Sequence, residues 1–235
     1  MSDDDQLVLG VLGGMGPAAT VEFLAQLQAY TPAERDQDHI RVIVDINPKA
    51  PDRNVPGSGA GGVLAEMAGA LAGAGAQVLA MPCNTAHAHA DTIQRACGLP
   101  LVDMIDLGAE AASRNGAMRA GVLGTKGALK LYREYLAARA MGLVSLPPER
   151  QEAFMVTLYR IKSGDLGDDV TREMAGHAEA LRQLGAEVLI AGCTEVPLVL
   201  DNGDVTLELI DPGDLLARRC VGVCLGWDPL PHMPG

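Results

Sequence analysis

The sequence predicts an α/β protein of two pseudo-symmetric, doubly wound parallel-sheet halves related by an internal duplication, with an active site in the cleft between them. Three observations predict it. Short apolar runs alternate with segments of helical period along the chain. Strands separated by helices pack as right-handed βαβ units, giving a parallel sheet covered on both faces. A glycine turn, Leu9-Gly10-Val11-Leu12-Gly13-Gly14-Met15-Gly16, returns as Ala120-Gly121-Val122-Leu123-Gly124-Thr125-Lys126-Gly127, an offset of 121 − 10 = 111. A cysteine after an apolar run, Met81-Pro82-Cys83-Asn84-Thr85-Ala86-His87, returns as Ala191-Gly192-Cys193-Thr194-Glu195, an offset of 193 − 83 = 110. Two landmarks sharing nearly one spacing mark a duplication.

In chain order, Leu7 to Leu12 reads as a strand ending in the first glycine turn, and Ala18 to Tyr30 as a helix carrying Val21, Leu24 and Leu27 on one face. Pro17 suits the first turn of that helix, and the glycines let backbone approach a ligand. Thr31 to His39 is polar. Arg41 to Ile46 is the second strand, followed by a loop from Asn47 to Gly62 with Pro48, Pro51, Pro56 and four glycines; loops of this length are usually functional or mobile. Val63 to Ala74 is a helix, Gln77 to Ala80 the strand leading to Cys83, and a helix follows through Cys97. Leu99 to Met104 reads as a strand and Asp106 to Asn115 as a helix, ended by Asn115-Gly116.

The second half continues with helix Leu129 to Ala140, a weak strand Leu143 to Leu146, a helix from Pro147-Pro148-Glu149 to Ser163-Gly164, and a helix from Asp168 to Leu184. The strand into Cys193, a short strand Leu207 to Ile210, helix Asp214 to Cys224 and an extended proline-bearing tail, Trp227 to Gly235, complete the chain. The expected divisions are 1–105, 106–212 and 213–235, with the last helix packing back on the first half.

Composition narrows the function. The 235 residues are 48% hydrophobic, 20% charged and include 28 glycines, as suits a packed domain rather than a disordered chain. Aromatics are 3%, and 18 Lys+Arg stand against 30 Asp+Glu for a net charge of −12. A nucleic-acid surface needs basic and aromatic residues, so nucleic acid is not an expected partner. No apolar run reaches membrane-spanning length, and the acidic start Met1-Ser2-Asp3-Asp4-Asp5-Gln6 does not read as a secretory leader. Five scattered cysteines do not form a disulfide framework, so a reducing, cytoplasmic setting is expected.

The chemistry centres on Cys83 and Cys193. Each is expected where a strand stops and a helix starts, a setting that favours thiolate. In open parallel sheets ligands bind beyond the carboxyl ends of the strands, where both cysteines and both glycine turns fall. Two thiols on opposite faces of one molecule can invert a stereocentre, one removing a proton and the other returning it. The carbanion between these steps needs N–H and hydroxyl donors, for which Asn84, Thr85, Thr125 and Thr194 are candidates. Cys97, Cys220 and Cys224 read as inert buried thiols. Cys83, His87 and His89 do not converge as zinc ligands, so no metal is expected. Gly14-Met15-Gly16-Pro17-Ala18-Ala19 fits a dinucleotide fingerprint, but no strand-end acid follows at the required distance.

The chain resembles the cofactor-independent aspartate/glutamate racemases, most closely the aspartate racemase branch. The resembling residues are Leu12-Gly13-Gly14-Met15-Gly16-Pro17, Asn47-Pro48 with Pro51-Asp52-Arg53, Pro82-Cys83-Asn84-Thr85-Ala86-His87 and Ala191-Gly192-Cys193-Thr194-Glu195. The resemblance implies racemisation of an acidic amino acid without pyridoxal phosphate or metal, and a homodimer. It implies Cys83 and Cys193 as paired acid and base, and Arg53 and Lys162 on substrate carboxylate. Met15, Gly16, Asn47 and Glu195, within the quoted motifs, complete the candidate substrate-binding set. Asp45 could pair with Lys49 or Arg53, or select the substrate side chain. Two other readings stay open: a cysteine-dependent isomerase or lyase of a dicarboxylic acid, and a carboxylate-binding module without catalysis.

Overall fold

The computed structural model describes residues 6–114 and 116–233. The acidic start at residues 1–5, the helix end expected at Asn115 and the last two residues of the tail lie outside them. The chain divides into two compact units, Met1–Met104 with Gly213–Gly235, and Ile105–Pro212.

The first unit runs β1 (Leu9–Gly13), α1 (Pro17–Tyr30), β2 (Val42–Ile46), α2 (Ala60–Gly73), β3 (Val78–Ala80) and α3 (Ala90–Cys97). Its three strands are parallel in the order β2-β1-β3. Central β1 is buried at every residue, which is why it reads as an unbroken apolar run. Edge strand β2 leaves Val44 and Ile46 exposed. Pro17 opens α1 as expected. The Thr20 hydroxyl ties that helix to the glycine turn, accepting from Gly14 N–H at 2.9 Å and donating to the Gly16 carbonyl at 2.9 Å. The core gathers Leu12, Leu64, Met67, Leu71, Leu79 and Ile93.

The second unit runs α4 (Met104–Arg114), β4 (Arg119–Val122), α5 (Lys126–Ala137), β5 (Gly142–Val144), α6 (Pro148–Lys162), α7 (Asp168–Gln183), β6 (Val188–Ile190) and β7 (Leu209–Ile210). Its strands are parallel in the order β5-β4-β6-β7. The sheet plan repeats that of the first unit, with β4 in the place of β1 and β6 in that of β3. The repeat extends to packing. A Cβ on Gly10 would lie 2.8 Å from Ala76 Cβ, 2.9 Å from Leu79 Cδ2 and 3.4 Å from Leu71 Cβ. On Gly121 it would lie 2.9 Å from Ala186 Cβ, 3.1 Å from Leu189 Cδ2 and 3.0 Å from Leu181 Cβ. Each neighbour has its counterpart 110 residues on (186 − 76, 189 − 79, 181 − 71).

Helix α8 (Pro212–Cys224) belongs with the first unit from Gly213 onward. Asp214 accepts from the Tyr30 hydroxyl and pairs with Arg218 at 2.8 Å, and the Arg218 guanidinium stacks 3.9 Å from the Tyr30 ring centroid. Leu7 N–H donates to the Cys224 carbonyl at 3.0 Å. Among the described residues no helix is long and apolar enough to cross a membrane.

Several boundaries differ from expectation. The strand expected over Leu99 to Met104 is a single bridge, Leu79 to Leu101, because Pro100 contributes a carbonyl but no N–H, and Met104 already starts α4. Helices α2 and α5 begin three residues earlier than their apolar periodicity suggested. Small residues Ala60-Gly61-Gly62 form the first turn of α2, and Thr125 caps α5.

Gly10→Ala and Gly121→Ala should each destabilise by about 1–3 kcal/mol, because both overpack the same contact of the central strand with the neighbouring strand and its entry turn. Gly69→Ala, on the exposed side of α2 with nothing within 4 Å of the added carbon, should stabilise by about 0.5–1 kcal/mol. Urea unfolding of the three variants checks both signs.

Candidate active site

In the first unit the carboxyl ends of β2, β1 and β3 lie side by side, so the residues after them share one edge of the sheet. Gly14 has φ +93°, and a Cβ there would meet the Asn47 backbone at 2.5 Å; only glycine allows this approach. Asn47 N–H donates to the Gly13 carbonyl at 3.2 Å, joining the ends of β1 and β2. The Asn47 carboxamide accepts from Lys49 N–H at 3.0 Å and reaches Met67 Sδ at 3.7 Å. Met15 is buried among Leu12, Leu64 and Met67, and Gly16 caps α1. Arg53, on the loop after β2, donates from Nη1 to the carbonyls of Pro51 at 3.1 Å and Ala50 at 3.4 Å. Its Nε is buried without a hydrogen-bond partner among the described residues.

Cys83 is 6% exposed and follows β3 through a tight turn in which its N–H donates to the Met81 carbonyl at 2.7 Å. His87 fixes the peptide on the other side of the same residue. Its Nε2 accepts from Met104 N–H at 3.3 Å, so the ring proton sits on Nδ1, which donates to the Cys83 carbonyl at 3.0 Å. Both ring nitrogens are thus taken up by backbone. Asn84 and Thr85 are buried beside it. The α-helix expected to start at the cysteine does not. Thr85–His89 is a 3₁₀ segment, and α3 begins only at Ala90. After Cys193 a single 3₁₀ turn, Val196–Leu198, holds Pro197 and leads to no α-helix before β7. These short turns align few peptide dipoles, so neither thiol receives the helix-dipole support that the sequence suggested.

In the second unit a Cβ on Gly124 would lie 3.0 Å from the Gly192 carbonyl oxygen, and one on Gly192 would lie 2.6 Å from Val122 Cγ1. The two glycines let the turns after β4 and β6 meet backbone to backbone. Thr125 is buried and accepts from Ala128 N–H at 3.3 Å as the cap of α5. Gln151, which carried no signal in the sequence, donates from Nε2 to the Gly124 carbonyl at 2.9 Å and pins that turn.

Cys193 is 8% exposed, and its thiol donates to Glu195 Oε2 at 2.9 Å. Glu195 is 2% exposed, and its Oε1 accepts from the Lys162 ammonium at the end of α6. An unbroken chain therefore runs from ammonium to carboxylate to thiol. Thr194 is half-buried beside it. Lys162 and Glu195 were both expected on substrate; the structure joins them to each other and to Cys193. An ammonium carries three N–H donors, so this pairing is compatible with a further carboxylate on Lys162.

None of the five cysteines is in a disulfide. Burial pushes the Cys224 thiol up to about 12 and the Cys220 thiol well above its ordinary value, as inert core thiols require. Cys97, expected to be buried, is only half-buried at the end of α3 and donates to the Ile93 carbonyl at 3.2 Å. Among the described residues no group of three or more His, Cys, Asp or Glu could hold a metal ion.

The chain matches the Asp/Glu/Hydantoin racemase family over residues 12–220. It is 25% identical over 235 residues to the broad specificity amino-acid racemase RacX of Bacillus subtilis (strain 168), covering 94% of this chain and 99% of that protein. It is 29% identical over 155 residues to the glutamate racemase of Methylococcus capsulatus (strain ATCC 33009 / NCIMB 11132 / Bath), covering 62% of this chain and 55% of that one. Among solved structures it is similar to Picrophilus torridus aspartate racemase, with a TM-score of 0.79 and 25% identity over 93% of this chain and 94% of that one. The fold is that of the α/β racemases, and the protein is an isomerase. It belongs to the Asp/Glu/Hydantoin racemase family, whose activity is amino-acid racemisation.

His87→Ala would leave the Cys83 carbonyl and Met104 N–H without these bonds in a buried setting. It should destabilise the protein by about 1–3 kcal/mol, read from chemical denaturation.

Proposed function

We propose that this racemase interconverts the enantiomers of an acidic amino acid, aspartate first and glutamate or a close analogue second, by two-base proton transfer between Cys83 and Cys193. The observation that carries this reading is the matched position of the two thiols. Each is nearly buried, and each follows the counterpart strand of a sheet with the same order, β3 in one and β6 in the other. Aspartate and glutamate racemases among its relatives support the acidic side chain, and the broad specificity relative supports the wider amino-acid class.

In this mechanism one thiolate removes the proton from Cα, the electron pair stays on carbon beside the carboxylate, and the other thiol delivers a proton to the opposite face. Asn84, Thr85, Thr125 and Thr194 supply donors for the enolate-like charge. Arg53 holds a substrate carboxylate; its buried Nε supports this role, because a dry unpaired guanidinium N–H favours an anionic partner. Lys162 holds the second carboxylate while keeping its bond to Glu195. Met15, Gly16 and Asn47 complete the proposed substrate-binding set. No cofactor or metal enters the reaction. A homodimer in a reducing, cytoplasmic setting belongs to the same proposal.

Cys83→Ala and Cys193→Ala should each lower interconversion of L- and D-aspartate by about 10²–10⁴-fold, the range set by losing one acid–base group. Chiral chromatography over a panel of amino acids measures this and identifies the side chain. Racemisation retained in both single variants would remove the two-thiol mechanism.

A further inference from the structure

The two cysteines have different surroundings. Cys193 presents its S–H to a carboxylate that is nearly fully buried and is itself held by an ammonium, whereas the residue two past Cys83 is Thr85. Taken together, Lys162 and Glu195 form a neutral pair, and the thiol completes it as a third, uncharged member. Ionising Cys193 would place a thiolate 2.9 Å from the Glu195 carboxylate, two anions against one cation, among apolar neighbours in its cluster such as Leu123, Phe154, Leu158, Ile161 and Val196. A like charge at that range and in that setting disfavours the ionised form strongly.

We infer that Glu195, locked by Lys162 on α6, keeps Cys193 as the protonated thiol in the resting protein, so that Cys193 is the proton donor of the first half-reaction. Glu195 touches the reacting sulfur and is a catalytic residue in this sense; Lys162 is a positioning residue. The inference rests on the two-thiol reading of the reaction. In a turnover begun from this state, the Cys83 thiolate takes the α-proton, forming an S–H bond as the Cα–H bond breaks. The Cys193 S–H bond breaks as its proton joins the carbon on the other face. Cys193 is left as thiolate and Cys83 as thiol, with total charge unchanged. The thiolate on Cys193 then stands against Glu195. It is relieved either by accepting a proton from water as Cys83 releases one, or by taking the α-proton of the opposite enantiomer. The resting state is therefore set by Glu195, and it favours starting from the enantiomer whose hydrogen faces Cys83.

The test is site-resolved alkylation of the intact protein, which needs no turnover. Iodoacetamide reacts with thiolate, and peptide mass spectrometry separates the Cys193 rate from the others across pH 6–10. In Glu195→Gln the Cys193 rate near neutral pH should rise about tenfold or more, with its pH profile moving to lower pH, as expected when a like charge is removed. A profile that stays in place or moves to higher pH overturns the inference. Cys220 and Cys224 report folding, because they stay unmodified while the core is closed. Should Glu195→Gln open the core, Lys162→Met decides instead: an uncompensated carboxylate moves the Cys193 profile to higher pH, and a move to lower pH overturns the inference. Failure of the racemase reading appears separately, as absence of turnover across an amino-acid panel with the alkylation shift intact.

Discussion

Gly10 and Gly121 impose the constraint on which both units depend. Each lies in a central parallel strand so close to the neighbouring strand, β3 or β6, and the turn that leads into it that a methyl group would crowd Ala76 and Leu79 in one unit, and Ala186 and Leu189 in the other. The same alanine and leucine partners stand in both, which sets how closely the neighbouring strand and its entry turn pack on the central strand. The neighbouring strands are parallel and in register, so their carboxyl ends share one edge of each sheet. The turns after them then meet backbone to backbone, at Gly14 against Asn47 and at Gly124 against Gly192. Asn47, Thr125 and Cys193 stand in or directly beside these turns, so these candidate residues take their placement from the packing of the strands before them.

Duplication gave the two units one sheet plan, but it did not give the two thiols one environment. His87 spends both ring nitrogens on backbone groups around Cys83 and leaves the sulfur to other contacts. At the second site the residue two past the cysteine is Glu195, and its carboxylate turns onto the sulfur. The first copy has Thr85 at that step. In the proposed two-thiol reaction both directions must run, and the resting state holds the proton on one side or the other. The Lys162–Glu195 pair supplies a physical reason for a preference.

Much of this was legible in the sequence because repeated motifs carry their own spacing. The glycine turns and cysteine motifs, offset by 111 and 110 residues, reveal two sheets of one plan before any strand is placed. The misreadings have local causes. Leu99 to Met104 has the composition of a strand, but Pro100 cannot donate and only Leu101 pairs. The stretch after Cys83 has helical spacing, yet periodicity does not separate a 3₁₀ turn from an α-helix, and the α-helix starts only at Ala90. The link from Lys162 to Glu195 spans 33 residues and two further elements, α7 and β6, and no local pattern encodes it. Gln151 is hidden for the same reason, since its partner is a backbone carbonyl 27 residues away.

The central claim is that protons leave and reach Cα through two different groups. It is tested most directly by incubating enantiopure L-aspartate with the enzyme in D₂O and analysing both enantiomers at low conversion. Two-base transfer predicts that newly formed D-aspartate carries deuterium at Cα while the remaining L-aspartate stays protiated. Deuterium entering both enantiomers equally from the outset would mean that one group serves both faces, and would contradict the account.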